Sequence, residues 1–154
     1  MKFGRLLSVV FVASIVATFT IGCDGGTPLA DVYPASGRVL VDGKPVEGIS
    51  VALLPEAGVA GRGGFGVTDA SGAFSLTSVE GQEGVREGKY KVIFTKLALP
   101  DGSPIPEGAS AADVGAENIL PPAYGNPDMS TMYTTITAGT NPEMEFELDS
   151  KRKR

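Results

Sequence analysis

The sequence predicts an all-β domain of about seven strands packed as a β-sandwich. Three observations carry that expectation. Over 143–148, Met144, Phe146 and Leu148 alternate with Glu143, Glu145 and Glu147, the period-2 pattern of a strand with one buried face. Turn signals recur at short intervals, among them Asp42-Gly43 and Asp69-Ala70-Ser71-Gly72. The chain also holds 21 Gly and 11 Pro in 154 residues, which breaks up any long helical pattern.

The elements follow in order. Gly37–Val41 forms a strand that ends at the Asp42-Gly43 hairpin signal, and Lys44–Gly48 continues the connection. Ile49, Val51 and Leu53 alternate with Ser50, Ala52 and Leu54 until Pro55 stops the strand. Gly64–Thr68 is the third strand, with Phe65 and Val67 on one face. After the turn at 69–72, Ala73–Ser78 returns with Phe74 and Leu76 inward. Gly88 opens the longest strand, where Tyr90, Val92 and Phe94 alternate with Lys91, Ile93 and Thr95. Thr134–Ala138 and the 143–148 segment complete the set. The exception is Ala98–Met132, an uncommonly long connection with one short helical turn at Ala109–Val114. Its apolar part, Ile119-Leu120-Pro121-Pro122-Ala123-Tyr124, is expected to dock on the strands.

The N-terminus carries an address. Lys2 and Arg5 precede an apolar stretch from Leu6 to Ile21 that is diluted by Ser8, Ser14, Thr18 and Thr20. Secretory signals have apolar cores of about 7–15 residues, and membrane-spanning helices need about 20. The stretch ends at Thr20-Ile21-Gly22-Cys23, which resembles a bacterial lipobox at Gly22 and Cys23 and departs from it at Thr20 and Ile21. Cys23 is the only cysteine, so it has no partner within the chain for a disulfide. Lipidation would use that thiol, and acyl chains such as palmitate contribute about 0.8 kcal/mol per buried CH₂. An ordinary signal peptide and an uncleaved anchor helix stay open as alternatives. The expected organisation is a cleavable lipoprotein signal helix over 1–22, a lipidated Cys23 with a Gly-rich tether to 32, a domain over 33–149 and a basic tail over 150–154.

Without Lys2 and Arg5 the chain has 11 basic against 18 acidic residues, a net charge of −7. Four of the basic residues are Lys151-Arg152-Lys153-Arg154, so the folded part is near −11. Such a domain will not bind nucleic acid by counterion release. The absence of His removes Ser-His-Asp triads and every His-containing zinc site. Gly61-Arg62-Gly63-Gly64-Phe65-Gly66 matches G-x-G-x-x-G, but a β-pattern follows it where a dinucleotide site needs a helix. Asp69 and Asp42 are expected to hydrogen-bond backbone in their own turns rather than hold calcium.

Three stretches carry a family resemblance: S-G-R-V-L-V-D-G-K-P-V-E-G, V-T-D-A-S-G-A-F-S-L-T and V-R-E-G-K-Y-K-V. Together they resemble the carboxypeptidase regulatory-like domain, a transthyretin-like, immunoglobulin-like β-sandwich. The later L-P-P-A-Y-G-N-P-D-M-S-T is similar to a segment of small planctomycete lipoproteins of that type. The resemblance covers nearly all of 33–149. It implies a fold and no catalytic domain. The hydroxyisourate hydrolases of transthyretin-like fold use histidines and a terminal Y-R-G-S, which this chain lacks.

The expected function is therefore a non-catalytic, monomeric, membrane-anchored lipoprotein of the cell envelope, facing the periplasm or cell surface. No catalytic residue, metal ligand or cofactor is expected. Lipidation is assigned to Cys23, and a partner-binding loop to 98–132 with Leu120, Tyr124 and Asn126. Its partner would be an envelope protein or a polysaccharide. A carbohydrate-binding module built on Tyr33, Tyr90, Tyr124 and Tyr133 is one alternative. A hydrolase working with carboxylates alone is another, and it needs two Asp or Glu facing each other in a cleft.

Overall fold

The computed structural model describes residues 31–151, so Cys23, the signal segment, nearly all of the tether and the last three residues of the basic tail lie outside the described residues. The described chain is mostly β. In order, the strands are β1 (Ser36–Val41), β2 (Lys44–Pro45), β3 (Ser50–Pro55), β4 (Gly64–Val67), β5 (Ala73–Ser75), β6 (Thr77–Ser78), β7 (Gly88–Thr95), β8 (Leu97–Ala98) and β9 (Glu117–Asn118). A single helical turn, α1 (Pro122–Gly125), precedes β10 (Tyr133–Ile136) and β11 (Met144–Leu148).

Two main sheets result. The first has β1 at its centre, paired with β11 on one side and with β2 and β5 on the other. The second runs β10-β7-β3-β4-β6 and is antiparallel throughout. The β8–β9 pair stands apart from both. The β1–β11 pairing is parallel, with Val39 opposite Phe146 and Val41 opposite Leu148. Parallel neighbours need a long crossover. Here nearly the whole domain lies between the two strands.

Alternation sets the burial. Ile49, Val51 and Leu53, then Tyr90, Val92 and Phe94, are buried from the second sheet. Val39, Phe74, Phe146 and Leu148 are buried from the first, and all of these form one core. Phe146 joins the sheets: its ring lies 5.1 Å from that of Phe94, edge to face, and 6.4 Å from that of Phe74. Met144 continues its inward row but is only half-buried, and its sulfur accepts a hydrogen bond from Thr134 Oγ1 at the rim. The outward Glu143, Glu145 and Glu147 are exposed.

Three local outcomes differ from a simple strand reading. The 73–78 segment is not one strand. β5 pairs with β1 in the first sheet and β6 with β4 in the second, so the chain changes sheet at the buried Leu76. In β4 the glycines face inward, while Phe65 and Val67 face solvent. The reason is steric: a Cβ at Gly66 would lie 2.4 Å from the Ser75 carbonyl oxygen, and one at Gly64 would lie 2.8 Å from that of Thr77. Finally, both Asp42 and Gly43 have positive φ, at 51° and 74°, as a two-residue hairpin of the I′ type requires. The Asp42 carboxylate does not bond its own turn. It accepts hydrogen bonds from the Ser150 backbone N–H at 3.0 Å and Oγ at 2.6 Å. The turn after β1 is thereby tied to the end of β11.

Candidate functional site

The long 98–132 connection is fastened at both ends. Lys96 and Asn118 close its base: Asn118 Oδ1 accepts from the Lys96 and Leu120 backbone N–H groups, and the Ile119 N–H donates to the Lys96 carbonyl at 2.9 Å. Pro122 sits at the start of α1, where a missing N–H costs nothing. The Asn126 N–H closes the turn onto the Pro122 carbonyl. Beyond it, Ser130 Oγ donates to the Val92 carbonyl at 2.8 Å, and Lys91 Nζ donates to the Pro127 carbonyl at 2.9 Å. This segment lies along the half of β7 that β10 does not pair.

The structure places the three expected contact residues in different settings. Tyr124 is 2 % exposed and belongs to the core, and its hydroxyl accepts the Asp149 backbone N–H at 2.9 Å. Leu120 is also buried. Both side chains hold the connection down onto the domain. Asn126 is exposed, but its Oδ1 is spent on the Asp128 N–H within its own turn. Burial follows from position: α1 packs against β7, which puts the Tyr124 ring in the core and lets its hydroxyl reach Asp149 just past β11.

The other expected residues are equally structural. Tyr90 is fully buried, its hydroxyl donates to the Arg86 carbonyl, and burial pushes its phenol up from the usual range. Asp69 Oδ1 accepts from Ser71 N–H and Oγ and from Ala73 N–H, and these bonds hold its carboxyl below the ordinary value. Asp101 is lowered in the same way by Ser103. Each is a turn built on a side-chain acceptor. In the G-x-G-x-x-G stretch, Gly63 has φ of 85°, and a Cβ there would lie 1.9 Å from the Leu53 carbonyl oxygen. The motif marks a close approach of backbone to β3, and its second half is already strand β4. Among the described residues no three His, Cys, Asp or Glu side chains gather as metal ligands.

A groove of about 570 Å³ runs between 34–36, 75–77, 83–84 and 139–141. Ser36, Ser75, Thr77, Thr140 and Asn141 give it a hydroxyl and amide lining, Glu83 is its one carboxylate, and no tyrosine lines it. Glu143 and Glu145 do share a shallow depression with Arg38. Glu145 is on β11 and Glu143 immediately precedes that strand, two residues away along one extended segment, so they lie side by side and do not face across a cleft. The four tyrosines do not form a platform, since Tyr90 and Tyr124 are in the core and Tyr133 stands on the outer face of the second sheet. Comparison with protein-family models, curated proteins and solved structures gives no significant match.

Proposed function

We propose that this chain is a membrane-tethered lipoprotein of the cell envelope, exported and acylated at Cys23, whose domain serves as a non-catalytic interaction or structural module. Its architecture is a transthyretin-like sandwich of the carboxypeptidase regulatory-like kind. The observation that carries the reading is the position of the only cysteine, directly after the apolar stretch and Gly22. The fold gives that position a mechanical sense. Tyr33 is fastened to Val85 by reciprocal backbone hydrogen bonds of 2.8 and 3.0 Å. The short Gly-rich segment between Cys23 and Tyr33 would hold the domain within about 30 Å of the lipid surface, at roughly 3.3 Å per extended residue. Two sheets sharing one core support the sandwich reading. The docking of Leu120, Ala123 and Tyr124 into the domain and the single carboxylate among the residues lining the 570 Å³ groove favour a module over a hydrolase.

The test is metabolic labelling with a clickable fatty acid. The wild-type chain takes the label and Cys23→Ser does not. Labelling of both, or of neither, overturns the anchor.

A further inference from the structure

Four large apolar side chains left in solvent share one surface. Phe65, Val67, Leu54 and Tyr133 are 51, 59, 37 and 44 % exposed on the outer face of the second sheet. The register places them on neighbouring rows of that face, with the buried Ile93 between them. Ala52 stands between Phe65 and Ile93, Ser50 between Val67 and Thr95, and Lys91 between Tyr133 and Leu54. Lys89 and Lys91 bracket the Tyr133 ring, with Nζ 4.8 and 5.7 Å from its centroid. Glu56, beside Lys89 at the end of that row, is the carboxylate nearest in register. The outer face of the first sheet is the reverse, with Glu145 and Glu147 on β11, Glu143 just before it, and Arg38 opposite Glu145.

The chain reaches the domain at the matching end. Tyr33 bridges to Val85, three residues before β7 starts, and Lys89 is the second residue of that strand. A tether running to Tyr33 therefore leaves from the lysine-bearing end of the second sheet.

We propose that the outer face of the second sheet lies against the anionic surface of the bilayer that holds the chain. This rests on the tether reading above. Tyrosine and lysine suit the headgroup level, where a ring meets acyl chains and a cation meets phosphate. The carboxylate row of the first sheet is repelled by the same surface, which sets the orientation. The patch is too small to hold a free domain. A tether makes docking intramolecular, so a weak contact becomes populated. Phe65 and Val67 enter the headgroup layer, and Tyr133 with Lys89 and Lys91 marks its boundary.

The experiment uses the full chain reconstituted into phosphatidylcholine–phosphatidylglycerol vesicles that carry a diazirine lipid. Flotation first establishes attachment, and irradiation then maps the adducts. Adducts concentrated several-fold in 50–55, 64–68 and 133–136 over 36–41 and 143–148 support the docking. Phe65→Ser with Val67→Ser should lower adducts at 133–136 several-fold while the chain still floats. Equal labelling of both faces, or no adducts on a floating chain, overturns the docking and leaves the tether intact. Crosslinks joining the 64–67 segments of two copies in place of lipid adducts assign the face to a second copy and also overturn it. A chain that does not float overturns the tether reading and the docking together.

Discussion

Tyr124 offers a test of how the long connection is held. Its ring is buried in the shared core, and its hydroxyl accepts the Asp149 N–H just past β11. Two substitutions separate these roles. Tyr124→Phe keeps the ring and leaves the Asp149 N–H without this acceptor, at a cost of about 1 kcal/mol. Tyr124→Ala removes the ring and opens a cavity, which for a large aromatic costs about 3–5 kcal/mol. For a domain of this size the two should lower Tm by about 3–6 °C and about 10–20 °C. The local signature is sharper than the melting curve. In Tyr124→Phe, amide exchange at Asp149 should accelerate by about fivefold, as 1 kcal/mol implies. Thermal melts and amide exchange read by NMR provide both numbers. A Tyr124→Ala domain within about 0.5 kcal/mol of wild type would refute the packing, because surface positions behave that way. Unchanged exchange at Asp149 in Tyr124→Phe would refute the hydrogen bond.

Two further outcomes follow from the same structure. Phe146→Ala removes the ring that touches both Phe94 and Phe74, and should cost about 3–5 kcal/mol, whereas the exposed Glu145→Ala should stay within about 0.5 kcal/mol in denaturant melts. Equal effects would mean the two faces of β11 are misassigned. Asp69 titrates below 3.8 in the folded state, first through Ser71 Oγ and then through the Ser71 N–H. A lowered folded value stabilises the fold above the unfolded pKa and loses that contribution as pH falls through the folded pKa, so the window lies below pH 4. In an NMR pH titration Ser71→Ala should move the Asp69 midpoint up toward 3.8, and an unmoved midpoint would remove Ser71 as the cause.

Much of the fold was legible in local patterns because burial on one face writes period 2 into the residues. The alternations at 49–54, 90–95 and 144–148 place the core side chains, and Asp42-Gly43 marks a hairpin that no β-branched residue would tolerate. The candidate site was less legible. Ile119–Tyr124 reads as an apolar stretch that must cover something, but its composition is equally suited to packing inward and to meeting a partner. Only the packing of α1 against β7, within reach of Asp149, decides that Tyr124 goes in.

The residues alone therefore determined an all-β, turn-rich, acidic domain behind a single cysteine, because propensity, charge and side-chain period are properties of short segments. Tertiary structure decided what depends on neighbours distant in the chain. The parallel union of β1 with β11 joins residues more than a hundred positions apart, and nothing within either strand specifies that partner. The division of 73–78 between two sheets and the outward turn of Phe65 and Val67 have the same origin. Hydrophobicity would send those two side chains inward. The backbone of 75–77 passes too close to β4 for any side chain but glycine, and that contact, made between strands, outweighs the local preference.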